Sequence, residues 1–248
     1  LAEYDFDKNS EEKVDIAFVK TMSPSTILRE LIQCKTEDEK IEADELEKKI
    51  RLRVKSHGAI HRNEVLSWGK SREQQETYLS YYHMQLNLYY AENLHREKFT
   101  LGLTGKNWDK IPHLKSHSLG HAENRREYYQ RFFNNKINLS INPWDQHHTR
   151  IFEGGVCGGF FLLFKVPDEI SQCKIPKELI PGVHFDYFSS VEELIKKTKY
   201  YLENSDLRKE IGENLRKLVR ERFSYNSLCK EFLRRHSLSI KREKNGES

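Results

Sequence analysis

Between Asn142 and Phe164 the chain reads N-P-W-D-Q-H-H-T-R-I-F-E-G-G-V-C-G-G-F-F-L-L-F. Phe160 to Phe164 is apolar at every position, the pattern of a strand covered on both faces in a parallel sheet. Just upstream, Ile137-Asn138-Leu139-Ser140-Ile141 is a second short apolar segment, ending at about Asn142. Between the two lie a polar loop and room for one short helix carrying Glu153, which Gly158 and Gly159 close. Parallel strands need such a crossover, because a tight turn cannot join them.

Working outward, Val14 to Val19 and Phe99 to Leu103 read as further strands, and His184 to Phe188 as a shorter one. Helical patterns follow the last strand. Ser189-Ser190-Val191-Glu192 reads as a capping box opening a helix with Leu194. Ser205 caps a second helix with Ile211, Leu215 and Val219 on one stripe, and Ser224 a third around Leu228 and Phe232. This alternation specifies an α/β fold: a Rossmann-like, doubly wound parallel sheet. Residues 25–98 interrupt the rhythm with charged helical sequence and no convincing strand. The segment is several times the length of an ordinary crossover, so it reads as a long helical insertion. Its stripe of Tyr78, Tyr82, Leu86, Tyr89 and Tyr90 has amphipathic spacing and is expected to pack against other helices. The expected organisation is one Rossmann-like domain over 1–248, the insertion at 25–98 within it, and a basic, frayed tail at 236–248.

Composition narrows the function. The chain has 248 residues, a net charge of +4, and charges of both signs interspersed along its length, which argues against a dedicated nucleic-acid surface. The longest apolar run, Phe160 to Phe164, is far too short to span a bilayer. No signal peptide is legible in residues 1–20, and the four cysteines form no CxxC, so cytoplasmic residence with reduced thiols is expected. The first residue is Leu rather than Met, which suggests a piece of a longer chain. His113, His117 and His121 are four apart, but Pro112 and Gly120 oppose a continuous helix there, so no metal site is expected.

The chemistry concentrates at the strand-end loop. Ligands of open parallel sheets collect at the carboxyl ends of the strands, beside helix amino termini. His147, His148, Thr149 and Arg150 stand where the short helix begins. Arginine suits a diphosphate, Glu153 can accept both hydroxyls of a ribose, and Gly154 and Gly155 permit close approach by a ligand or another backbone. Asp145 reads equally as a ligand group or a turn residue.

The segment resembles the donor-binding signature of the glycosyl transferases group 1, in particular the spore-maturation branch, whose pattern is approximately R-x-F-E-x-x-x-C-G. Here it is Arg150-Ile151-Phe152-Glu153 through Cys157-Gly158. Asp145 and Glu153 match the wider family's two acidic residues, with Asp for the usual Glu. Leu103-Thr104-Gly105-Lys106-Asn107-Trp108 resembles its G-x-G-W segment with the second Gly replaced, and the likeness extends over about 99–235. The resemblance implies the carboxyl-terminal domain of a GT-B fold, which binds a nucleotide-diphosphate sugar and uses no tightly bound cofactor or catalytic metal. Arg150 and Lys106 would stabilise the leaving diphosphate. Glu153, Asp145, Asn142, His148, Thr149, Gly154, Gly155 and Trp108 would bind the donor. The family's basic residue after the first strand has only Lys20 or Arg29 as candidates, and the expected glycine in that loop is missing. The acceptor would be a hydroxyl compound, met by an amino-terminal GT-B domain outside this chain. The rival reading is a non-catalytic scaffold that keeps the half-fold and docks a partner through its insertion.

Overall fold

The computed structural model describes residues 14–56, 58–146 and 148–244, with side chains through Arg234. Six parallel strands form one sheet: β1 (Val14–Val19), β2 (Leu101–Thr104), β3 (Ser118–Gly120), β4 (Asn135–Ser140), β5 (Phe161–Phe164) and β6 (Asp186–Phe188). Their spatial order is β3-β2-β1-β4-β5-β6. β1 therefore lies between β2 and β4, with Phe18 level with Leu103 on one side and Leu139 on the other. The chain winds outward from β1 in one direction and then in the other, which leaves a crevice at the carboxyl ends of β1 and β4.

Strand periodicity sorts side chains into two cores. Leu162 and Phe164 of β5 face one apolar layer with Ile16, Phe18, Leu103 and Ile137. Phe161 and Leu163 face the other, with Phe132, Ile151, Leu215 and Val219. An apolar residue at every position of β5 is what two covered faces require. β3 was not legible in the sequence. It is three residues long, sits at the edge of the sheet and leaves Leu119 43% exposed, so it carries no apolar pattern.

Between β1 and β2 the chain forms four helices: α1 (Leu28–Leu31), α2 (Glu37–Ser56), α3 (Arg62–Leu66) and α4 (Arg72–Arg96). α4 buries Tyr78, Tyr81, Tyr82, Leu86 and Tyr90 in the first core, so the tyrosine stripe packs inward. The loop before α3 is tied to the carboxyl edge of the sheet, where the Ile60 N–H donates to the Pro143 carbonyl at 2.9 Å. The other helices are α5 (Arg125–Phe133), α6 (Arg150–Gly155), α7 (Val191–Glu203), α8 (Ser205–Leu218) and α9 (Tyr225–Lys244).

The capping box of α7 lies one residue later than the sequence pattern suggested. Ser190 Oγ accepts the Glu193 N–H at 3.1 Å, and Glu193 reaches back to the Ser189 N–H at 2.8 Å. Ser205 is the first residue of α8 rather than its cap, a position taken by Asn204. Ser224 does cap α9, accepting the Ser227 N–H at 3.1 Å. Leu228 and Phe232 on α9 are exposed. The stretch expected as a frayed tail from residue 236 continues α9 to Lys244, and 245–248 lie outside the described residues.

Gly154 and Gly155 owe their identity to packing rather than to ligand approach. A Cβ on Gly154 would run into the Phe161 ring and stand 2.8 Å from Phe132, and one on Gly155 would stand 2.8 Å from Leu215. Gly154→Ala gains about 1 kcal/mol of helix propensity. Overpacking against two buried aromatic rings costs ~1–3 kcal/mol. The net effect is destabilisation, read as a lower urea midpoint with an unchanged slope; a more stable variant would refute the packing account.

Candidate functional site

The loops at the carboxyl ends of β1, β2 and β4 are bound to one another. Lys20 follows β1 directly, its N–H donates to the Thr104 carbonyl at 2.9 Å, and the Met22 N–H donates to the Lys106 carbonyl at 2.9 Å. Gly105 adopts φ +130°, and a Cβ there would collide with the Lys20 carbonyl. Only glycine allows the two strand-end loops to approach this closely. The glycine expected after β1 is thus absent, while the one after β2 performs the close approach. Trp108 belongs to the same joint. Fully buried against Phe18, it donates its indole N–H to the Lys20 carbonyl at 2.7 Å. It is therefore a brace beneath the site and not a ligand contact as expected, because a large apolar ring gains more from the core than from the crevice.

The Lys20 side chain meets His83, which α4 delivers from the insertion. Lys20 Nζ lies 3.1 Å from His83 Nδ1, and His83 Nε2 lies 2.7 Å from the Ile141 carbonyl. A carbonyl can only accept, so Nε2 carries the proton and Nδ1 accepts from the ammonium. Burial, then the charge of Lys20, holds the imidazole well below its ordinary pKa, and it stays neutral. Burial and then the charge of Arg150 lower Lys20 to about 8. Among the described residues, neither Lys20 nor Arg150 has a carboxylate within 4.0 Å. Two cations without a counter-charge, in a crevice between strands, form a site for an anion. Arg29, the other basic candidate, pairs with Asp44 at 3.2 Å on the exposed insertion. Nothing in the sequence around His83 distinguished it from its tyrosine-rich stripe; only the docking of α4 gives it a role.

The strand-end loop after β4 divides the remaining candidates. Asp145 accepts the Cys173 N–H at 3.0 Å with one oxygen and the Asn142 amide at 3.2 Å with the other. Asn142 is buried and also accepts the Trp144 N–H at 3.3 Å. These two residues build the loop. His147 lies outside the described residues. His148 Nδ1 is 3.2 Å from the Thr149 hydroxyl and 3.4 Å from the Arg150 N–H. The expected free amides of α6 are consumed locally: Ile151 bonds to the His148 carbonyl at 3.0 Å, and Phe152 and Glu153 to that of Thr149 at 3.0 and 3.1 Å. The helix has only six residues, so its positive character rests on the Arg150 guanidinium rather than on open N–H groups.

Glu153 accepts the Tyr128 hydroxyl through Oε2 at 2.9 Å, and its other oxygen has no protein partner among the described residues. Burial, then the Glu153 charge, raises the Tyr128 pKa, while Arg150 beside it acts in the opposite direction. Arg150 and Glu153 thus flank one phenol. Lys106 is exposed on the loop after β2. Of the three spaced histidines, His117 lies 3.0 Å from His95 and His113 lies 3.1 Å from Glu92, while His121 is exposed. Among the described residues no group of three or more such side chains can hold a metal ion. Nor is any described helix long and apolar enough to cross a membrane. None of the four cysteines is in a disulfide, and burial pushes the Cys157 thiol up to about 12, which makes it unreactive.

A six-stranded parallel sheet with the β1–β4 switch point and helices on both faces is a Rossmann-like architecture. The family model for glycosyl transferase-like proteins matches residues 85–234, and the chain belongs to that family. Comparison with curated proteins finds no match. Among solved structures, the chain is similar to sucrose-phosphate synthase from Thermosynechococcus elongatus, at 13% identity and TM-score 0.47, over 60% of this chain and 41% of that one. It is also similar to a glycosyltransferase from Rickettsia africae ESF-5, at 16% identity and TM-score 0.44, over 77% and 56% of the two chains. The chain thus spans about half the length of these proteins, 41% and 56%.

The Lys20 geometry gives a pH prediction. An anion between Lys20 and Arg150 stabilises the ammonium and raises its pKa above the free value of about 8. Binding of inorganic sulfate, which does not itself titrate in this range, should therefore take up protons near that pH, and affinity should fall as the pH rises through it. Calorimetry in two buffers of different ionisation enthalpy reads the uptake directly, and Lys20→Gln should abolish it. Equal heats in both buffers would remove Lys20 from the anion site.

Proposed function

We propose that this chain is the donor-binding part of a glycosyltransferase, holding a nucleotide-diphosphate sugar for transfer of the sugar to a hydroxyl acceptor. The observation that carries this reading is the Lys20–Arg150 pair, two cations without a carboxylate at the switch point of the sheet. Family membership supports the class of reaction. Lys20 and Arg150 grip the diphosphate, and exposed Lys106 reaches it from the loop after β2. Glu153, with one oxygen held by Tyr128 and the other open, accepts the ribose hydroxyls. His148 and Thr149 line the entry, and Asn142 and Asp145 hold the loop in shape.

In the reaction the acceptor oxygen forms a bond to the anomeric carbon, and the bond from that carbon to the diphosphate oxygen breaks. The diphosphate leaves with the bonding electron pair, and its growing negative charge falls on Lys20 and Arg150, already in position. The acceptor's hydroxyl proton passes to a base of an amino-terminal domain, which would also supply part of the acceptor site. No metal or tightly bound cofactor takes part in this scheme, and the enzyme works in the cytoplasm.

Glu153 and Asp145 separate ligand contact from loop construction. A charge-assisted hydrogen bond contributes about 1.5–3 kcal/mol, so Glu153→Gln should weaken nucleoside diphosphate binding by about tenfold or more and leave folding unchanged. Lys20→Ala and Arg150→Ala should each do the same for the diphosphate. Asp145→Asn should act mainly on stability, because it loosens the tie to Cys173. Calorimetry with UDP, GDP and ADP on the five proteins tests the scheme. If none of the three nucleotides binds, or if Asp145→Asn costs more affinity than Glu153→Gln, the assignment fails.

A further inference from the structure

A cavity of about 430 Å³ lies in the insertion, between the α1–α2 loop, the first turns of α2 and the start of α4. Its volume falls within the range of small-molecule sites. Tyr78 lines it and is only 6% exposed, yet its hydroxyl has no hydrogen-bond partner among the described residues and is not sealed from solvent. A phenol so placed keeps its hydroxyl open to the cavity, where a ligand can exchange hydrogen bonds with it. Burial raises its pKa, so it remains a neutral donor and acceptor.

The rest of the lining specifies the chemistry of that ligand. Trp68 offers a half-buried indole, fixed by Lys49 Nζ 4.8 Å over its ring and by Tyr82 at 6.3 Å. Gln33 brings an amide that can donate and accept, and Gln74, whose Oε1 accepts the Lys70 N–H at 2.9 Å, offers its NH2 as a donor. The charges cancel within the wall. Glu42 pairs with Lys70 at 3.1 Å, and the carboxylate of Glu39 is held by the Lys35 N–H at 2.6 Å and the Thr36 N–H at 3.1 Å. Lys35, Lys70, Glu39 and Glu42 bring the wall to zero net charge, which favours neither an anionic nor a cationic ligand. An aromatic platform, amides and a lone phenol without net charge match a neutral polyhydroxylated ring, whose C–H face lies on an indole while its hydroxyls exchange hydrogen bonds.

We propose that this cavity is a second, saccharide-binding site that takes a neutral sugar, one or two rings long, as the anchored segment of a glycan acceptor. The acceptor role rests on the donor-site reading above; sugar binding by the cavity does not. The location fits that role. Trp68 is followed by Tyr82 and then by Trp144 in the loop after β4, with successive ring centroids 6.3 and 6.5 Å apart. Tyr82 is fully buried, so this row ties the cavity wall through the core to the strand-end loop and places the cavity on the carboxyl side of the sheet.

Saturation-transfer NMR on the full chain with cellobiose, maltose and chitobiose tests the proposal, with UDP, GDP and ADP measured in parallel. At least one disaccharide should bind, with a Kd on the order of 1 mM. Trp68→Ala should abolish its signal and Tyr78→Phe, which keeps the ring and the fold, should weaken it by about tenfold. Nucleotide affinity should be unchanged in both variants. If no disaccharide binds while a nucleotide does, the cavity proposal is overturned and the donor reading stands. If a disaccharide binds equally to wild type and both variants, its site is elsewhere and the proposal is likewise overturned. If the sugar response is lost in the variants but no nucleotide binds wild type, the saccharide site stands and its acceptor role falls with the donor reading.

Discussion

The placement of β1 between β2 and β4 constrains everything else in this protein. Both edges of β1 are satisfied by parallel partners, so its carboxyl end can leave only into the crevice where the winding reverses. Lys20 is the first residue beyond that end. Its carbonyl is captured by the Trp108 indole and its N–H by Thr104, so the backbone cannot drift. The side chain is held as well, its ammonium 3.1 Å from His83 Nδ1 and close enough to Arg150 at the neighbouring end of β4 to feel its charge. The cost of partly burying that charge is visible in its lowered pKa, with Arg150 adding repulsion. A protein does not assemble two uncompensated cations for stability. A bound anion would relieve that repulsion.

The insertion completes this site. α4 is the crossover that returns the chain to β2, and its tyrosines fill the first core beneath the sheet. The same helix places His83 against Lys20 and the Ile141 carbonyl, joining the ends of β1 and β4 through one imidazole. The Ile60–Pro143 hydrogen bond and the contact of Trp144 with Tyr82 and His83 fasten the insertion to the strand-end loop. An element that looks like an interruption in the sequence is, in space, one wall of the crevice.

The residues expected to touch a ligand separate by what they give to the protein first. Asp145 and Asn142 spend their polar atoms on the loop, Trp108 on the joint beneath it, and Gly154 and Gly155 on the contact of α6 with β5 and α8. Arg150 is left without a carboxylate partner, and Glu153 with an open oxygen. Those two, with Lys20, are the chemically available set.

Local sequence was enough for the elements whose burial is written in periodicity. The all-apolar Phe160–Phe164, the stripe of α4 and the serine that caps α9 each state their own environment, because a side chain's partition from water depends on its own chemistry. Arg150 and Glu153 stood out as candidates because ionised side chains in a strand-end loop are groups able to pair with a polar ligand. Tertiary structure alone decided what neighbours distant in the chain do to one another. A three-residue edge strand such as β3 has no pattern to read, and a glycine looks the same whether a ligand or Phe161 crowds it. His83 lies 63 residues from Lys20, and their meeting follows from the docking of α4 on the sheet. Hydrogen bonds and charge pairs depend on distances of a few ångströms, and only the packed chain sets them.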